Sequence, residues 1–143
     1  MATVLTMGTF DVGHQGHFYL FEQCWKIAGK GGRVVVGLNR DEFVAEFKGK
    51  PPVQSYTERY ALLNGCRWVD TIHPTPGSDA KPLIEVIDPD FLVIGSDWAF
   101  KDYYAQLQIT QQWLRDHDIA LLYLDRLGDL SSTRLKARIR EQS

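Results

Sequence analysis

An α/β fold built on a doubly wound, parallel, five-stranded sheet with helices on both faces is what this sequence predicts. Two observations carry that reading. Short apolar runs alternate with helix-period segments along the whole chain. The runs Val34-Val35-Val36 and Phe91-Leu92-Val93-Ile94 are nearly continuous in apolar residues, as strands buried on both faces tend to be. At 143 residues, with no internal repeat and no linker, the chain is expected to be one domain over residues 1–143.

The elements follow in order. Val4-Leu5-Thr6-Met7 is the first strand, and residues 8–13 are a turn rich in small residues. A helix starts near His14, with Phe21, Cys24, Trp25 and Ala28 at i, i+3, i+4 and i+7, and Gly29, Gly31 and Gly32 end it. Arg33-Val34-Val35-Val36-Gly37-Leu38 is the second strand, and Asn39 caps a short helix through Phe47. Lys48-Gly49-Lys50-Pro51-Pro52 is a loop. Ser55-Tyr56-Thr57-Glu58 is a capping box opening a helix to about Asn64. Trp68-Val69-Asp70-Thr71-Ile72 reads as the third strand, and residues 73–82 as a proline-rich loop. Residues 83–87 form a short helix stopped by Asp88-Pro89. The fourth strand, from Phe91, ends at Gly95. One helix is expected over residues 103–115, with Tyr103, Leu107, Thr110 and Leu114 on one side. Ala120-Leu121-Leu122-Tyr123-Leu124 is the last strand, and Ser131 or Ser132 caps a final helix. Strand–helix alternation of this kind implies right-handed crossovers and a Rossmann-like sheet, whose ligands bind beyond the carboxyl ends of the strands.

Composition excludes several classes. Sixteen Lys and Arg against eighteen Asp and Glu leave a formal charge of −2, which argues against a nucleic-acid coat or an anionic membrane surface as partner. No apolar run approaches the ~20 residues of a membrane span. The start, Met1-Ala2-Thr3-Val4-Leu5, has no secretory pattern. Cys24 and Cys66 form no CxxC pair and suit a reducing compartment as small core hydrophobes, so a cytoplasmic location is expected.

Three strand ends carry candidate chemistry. The first is Gly8-Thr9-Phe10-Asp11-Val12-Gly13-His14-Gln15-Gly16-His17. His14 and His17, three apart at a helix start, share one face, and a helix N-terminus suits a phosphate. Two capping or surface histidines are the plainer account; paired imidazoles with interleaved glycines favour function. The second is Gly95-Ser96-Asp97-Trp98, where a glycine admits a planar base beside an indole; a turn with a core Trp explains it equally well. The third runs from Arg126 to Ser131-Ser132-Thr133, whose hydroxyls and guanidinium suit a polyphosphate, or else an ordinary N-cap.

These segments, together with Ser55-Tyr56-Thr57-Glu58-Arg59 and Arg67-Trp68-Val69-Asp70, resemble the HxGH-motif nucleotidylyltransferase family over most of the chain. The nearest members are cytidylyltransferases of the glycerol-3-phosphate type. The resemblance implies an enzyme that joins a nucleoside triphosphate, CTP in the nearest members, to a small phosphorylated alcohol with release of pyrophosphate. It implies catalytic roles for His14, His17, Lys48 and Arg126. Nucleotide contacts would come from Gly8, Thr9, Phe10, Gly16, Gly95, Asp97, Trp98, Ser131, Ser132 and Thr133, besides His14, His17 and Arg126. Acceptor contacts would come from Asp11, Lys48, Lys50 and Lys81. Asp11 has further readings as a Mg²⁺ ligand or as a turn-forming residue. Mg²⁺ is the expected cofactor, and a homodimer through residues 67–70 is expected by analogy. The segments Ser96-Asp97 and Arg126-Leu127-Gly128-Asp129 depart from the family pattern and leave the base and the acceptor open. The alternatives are an adenylyltransferase of the same superfamily, using ATP with a sugar phosphate or flavin-type acceptor, and a nucleotide-binding regulator without turnover. A metal-binding structural protein using His14, His17, His73 and His117 is disfavoured, because no HExxH pattern or cysteine cluster supports it.

Overall fold

The computed structural model describes residues 1–75, 77–95, 103–125 and 132–142, without the side chains of Tyr103, Gln106, Ser132 and Thr133. The elements are β1 (Thr3–Gly8), α1 (Gln15–Ala28), β2 (Arg33–Leu38), α2 (Asp41–Lys48), α3 (Tyr56–Asn64), β3 (Thr71–Pro74), α4 (Lys81–Ile87), β4 (Phe91–Gly95), α5 (Tyr103–Leu107), α6 (Gln111–Asp116), β5 (Ala120–Leu124) and α7 (Ser132–Gln142). The five strands form one sheet in the order β3-β2-β1-β4-β5, and every pairing is parallel. The chain steps outward from β1 to β3 in one direction, and then returns to the other side of β1 for β4 and β5. That reversal puts the switch point between β1 and β4.

The alternation of side chains decides which helices cover which face. Leu5, Val35, Leu92 and Ile94 point to one side and pack with Ile84 of α4, Leu107 of α5 and Leu114 of α6. Val4, Val34 and Val93 point to the other, against Cys24 and Ala28 of α1. Val36 joins that side with Phe21 of α1 and Leu63 of α3. Helices therefore cover both faces, as the sequence implies. Cys24 and Cys66 are free and buried in these layers, and burial pushes the Cys24 thiol up to about 12.

Four local expectations are corrected. The third strand starts at Thr71, not Trp68. Trp68 and Val69 belong to a turn in which Val69 N–H donates to Cys66, and the Asp70 carboxylate is spent on Val34 N–H at 2.7 Å. The helix expected over residues 103–115 is two helices. Gln108 turns left-handed with φ 57°, and Thr110 caps α6 by accepting from Trp113 N–H at 3.0 Å. The break brings Ile109 into the core between Leu107 and Leu114, which one straight helix cannot do. Arg40, not Asn39, is the N-cap residue of α2. Finally α4 begins at Lys81, with Pro82 in its first turn, where a missing N–H costs nothing.

Candidate active site

The turn between β1 and α1 leaves the carboxyl end of the central strand. Two of its residues, Phe10 and Val12, hold φ of 51°, a left-handed conformation that non-glycine residues avoid and a β-branched residue avoids most. The surroundings hold it there. Val12 N–H donates to the Gln54 side chain at 3.0 Å, and Arg59 Nη1 donates to the Thr9 carbonyl at 2.9 Å. The Asn39 amide donates to Thr9 Oγ1 at 3.1 Å and accepts from Thr75 Oγ1 at 3.0 Å. Asn39 thus ties the ends of β1, β2 and β3 together instead of capping a helix. Backbone strain concentrated at a strand end is common where a ligand site is built.

The buried Phe10 ring packs edge-on against His17 at 5.3 Å and against Phe21 at 5.0 Å. Gly8 makes room for it, since a Cβ there would meet the Phe10 ring at 3.0 Å. His14 is the N-cap residue of α1, and its Nδ1 accepts from Gly16 N–H at 3.0 Å. An accepting Nδ1 carries no proton, so the neutral His14 ring carries its proton on Nε2. His14 and His17 stack with centroids 3.8 Å apart and planes 22° from parallel. Burial, then the neighbouring His14 ring, push His17 down to about 3 against the opposing pull of Asp11. His17 is therefore neutral at neutral pH, and its Nδ1 is buried without a hydrogen-bond partner among the described residues. No acidic side chain sits in the first turn of α1, where the positive end of its dipole lies.

The Asp11 carboxylate accepts from Val53 N–H at 2.8 Å, Gln54 N–H at 2.9 Å and Lys136 Nζ at 2.6 Å. Burial raises its pKa, but the Lys136 hydrogen bond and the two amides outweigh it and leave the carboxyl below its usual range. Asp11 is thus an anchor for three chain segments. Lys48 is the last residue of α2, with its ammonium 5.6 Å from the Phe47 ring centre, and Lys50 is exposed beyond it. Lys81 Nζ lies 2.6 Å from the Gln108 carbonyl and 3.0 Å from Asp79. Gly95 ends β4 opposite Leu124. Asp97, Trp98, Arg126 and Ser131 lie outside the described residues, while Ser132 and Thr133 open α7.

Arg59 was legible only as part of a motif, yet it organises the site. Its side chain is fully buried; the guanidinium donates to the carbonyls of Gln54, Thr9 and Asn39 and pairs with Asp41 at 2.6 Å. The available signal is its place on the core face of α3, between Tyr56 and Leu63 at i−3 and i+4. Lys136, one of four basic residues at alternate positions from Arg134 to Arg140, is the other omission.

The family model described as cytidylyltransferase-like matches residues 5–138. The chain belongs to the cytidylyltransferase-like family. Its relatives in that family are varied. The chain is 33% identical to the glycerol-3-phosphate cytidylyltransferase of Bacillus subtilis, over 97% of this chain and 98% of that protein. It is 30% identical to the FAD synthase of Thermococcus kodakarensis, over 96% of this chain and 91% of that one. It is also 30% identical to the bifunctional protein HldE of Alcanivorax borkumensis, over 97% of this chain, but spans 28% of that longer protein. The crystal structure of a lipopolysaccharide core biosynthesis protein from Thermoplasma volcanium shares the fold, with a TM-score of 0.67 at 22% identity over 90% of this chain and 99% of that one. The family is one of nucleotidyltransferases, and the match spans the whole β1–α1 turn. No helix among the described residues is long and apolar enough to cross a membrane.

Proposed function

We propose that the chain transfers a cytidylyl group from CTP to a small phosphorylated alcohol such as glycerol 3-phosphate. An acceptor phosphate oxygen attacks the α-phosphorus, the bond from that phosphorus to the oxygen bridging to the β-phosphate breaks, and pyrophosphate leaves with the electron pair. The acceptor is anionic at neutral pH, so no strong base is required, and catalysis rests on positioning and charge stabilisation.

One observation carries the transfer chemistry: the stacked His14–His17 pair at the open N-terminus of α1. His14, with its Nε2 proton, and neutral His17 supply donors for charge that grows on the phosphate oxygens. The choice of CTP and of a glycerol-phosphate-like acceptor is supported by the Bacillus subtilis relative, which matches nearly end to end. In this reading Gly8, Thr9, Phe10 and Gly16 shape the nucleotide turn. Gly95, Asp97 and Trp98 receive the base. Arg126, Ser131, Ser132 and Thr133 hold the β- and γ-phosphates. Lys48 and Lys50 meet the acceptor phosphate, with Lys81 a more remote contributor, and Asp11 orders the turn from behind. Mg²⁺ would screen the charge of the triphosphate. Among the described residues no cluster of three His, Cys, Asp or Glu could cage it, and Asp11 already receives three donors, so the fit is to an ion held chiefly by phosphate oxygens.

The FAD synthase relative supports a second reading, adenylyl transfer from ATP. Pyrophosphate release in the presence of Mg²⁺, crossing CTP and ATP with glycerol 3-phosphate, phosphocholine, sugar phosphates and FMN, separates the two. Release requiring CTP and an alcohol phosphate is the expected result. Release with ATP alone moves the assignment to the second reading. Nucleotide binding without release under any pairing overturns both in favour of a regulator.

A further inference from the structure

Helix α7 meets the β1–α1 turn through a charge pair. None of the buried apolar clusters, nor the side chains packed on them, includes an α7 residue among the described residues. Arg134, Arg138, Ile139 and Arg140 are exposed. Yet Lys136 reaches across 125 positions of sequence to Asp11, with Nζ 2.6 Å from Oδ2. The side chains are only 22% and 4% exposed, so the contact is made largely out of water. A charge pair withdrawn from solvent is costly to assemble and costlier to break on one side only.

The same carboxylate takes the amides of Val53 and Gln54, where the segment that follows Lys48 and Lys50 ends. Gln54 is in turn bonded to Val12 N–H and Arg59. Ser132, four residues before Lys136, lies on the same face of α7. One buried oxygen pair therefore joins the turn bearing the histidines, the end of the lysine-bearing segment and the helix that opens with Ser132 and Thr133.

We propose that Lys136 is a positioning residue that docks α7 on Asp11, and that this ion pair couples the triphosphate side of the site to the acceptor side. This rests on the nucleotidyl-transfer reading. Lys136 touches no reacting atom in this account. It sets where the first turn of α7 stands relative to the β1–α1 turn, and a ligand that tightens either side tightens the other through the shared carboxylate.

The test uses the full chain with Lys136→Met, which keeps length and loses charge, and Lys136→Arg, which restores it. Hydrogen–deuterium exchange of the unliganded protein comes first. Amides of residues 135–142 should exchange roughly tenfold faster in Lys136→Met and return toward wild type in Lys136→Arg, with β1 and β4 unchanged. Asp11→Asn, which removes the charge from the other side, should loosen the same amides. Unchanged exchange in α7 in both Lys136→Met and Asp11→Asn overturns the docking role. In the transfer assay Lys136→Met should raise KM for nucleotide and for acceptor together, with a smaller change in kcat at saturation. Faster exchange with both KM values unchanged overturns the coupling and leaves a tether. Absence of transfer by the wild-type protein with every nucleotide refutes the proposed function, whereas the exchange data still decide whether Lys136 docks the helix.

Discussion

The guanidinium of Arg59 donates to the carbonyl oxygen of Thr9 at 2.9 Å, from a side chain with no solvent exposure. It thereby fixes the residue that leads from β1 into the histidine turn, and the same group takes the carbonyls of Asn39 and Gln54. Replacing Arg59 with Met strands these acceptors and leaves Asp41 without its partner. The expected cost is about 3 kcal/mol, carried mainly by the buried carbonyls left without a donor at about 1–3 kcal/mol each, since Asp41 itself is partly exposed to water. Chemical denaturation followed by circular dichroism measures it; a loss below 1 kcal/mol would show that water replaces the guanidinium without penalty.

His17→Ala should lower turnover by about 10²–10³, the effect of removing one donor aimed at developing phosphate charge. Nucleotide affinity should change much less, because the donor matters most in the transition state. His14 differs because it also caps α1. His14→Ala should lose activity and about 1 kcal/mol of stability, while His14→Asn should keep the cap and still lose activity. Equal stability of the two His14 variants would remove the capping role.

His17, pushed down to about 3, takes up no proton at neutral pH in the free protein. A polyanion bound beside it favours the charged ring and raises that value, so binding draws in protons and tightens as pH falls. Calorimetry of CTP binding in buffers of different ionisation enthalpy should show proton uptake that grows as pH falls from 6 towards 4 and is reduced in His17→Ala. The sign for folding is separate. The folded value of His17 lies below its ordinary 6.5, so the unfolded chain protonates first, and stability complete above 6.5 is lost as pH falls towards 3. Asp11 is also lowered from 3.8, so its contribution is complete above that value and is lost as pH falls below it. Denaturation midpoints should therefore drop on acidification, in two overlapping steps, and His17→Ala should remove the higher one.

Thr110→Ala should cost about 1 kcal/mol through the lost cap of α6. A thermal melt unchanged from wild type would mean that the break between α5 and α6 is set by burial of Ile109 alone.

Much of this architecture was legible because period and punctuation agree. The capping box at Ser55 and Glu58 and the strand from Ala120 to Leu124 appear where their local signals put them. Three of the misreadings share a cause: long-range partners overrode local pattern. Thr110 continues the apolar spacing of a single helix, but Ile109 is drawn into the core and the helix breaks without glycine or proline. Asn39 resembles a cap, but Thr9 and Thr75 claim its side chain. In the site, the histidine pair was visible through spacing. Arg59 and Lys136 were not, because a buried arginine and a lysine pairing 125 residues away leave no periodic trace.

The state of the two thiols has a practical consequence. Cys24 has no solvent exposure and a thiol pushed up to about 12, and Cys66 is 8% exposed. Neither offers an accessible thiolate to a maleimide under native conditions. A single cysteine introduced at an exposed position of α7, such as Arg138, would carry a fluorophore alone on an otherwise unaltered background. The movement of that helix against the histidine turn then becomes something that light can follow.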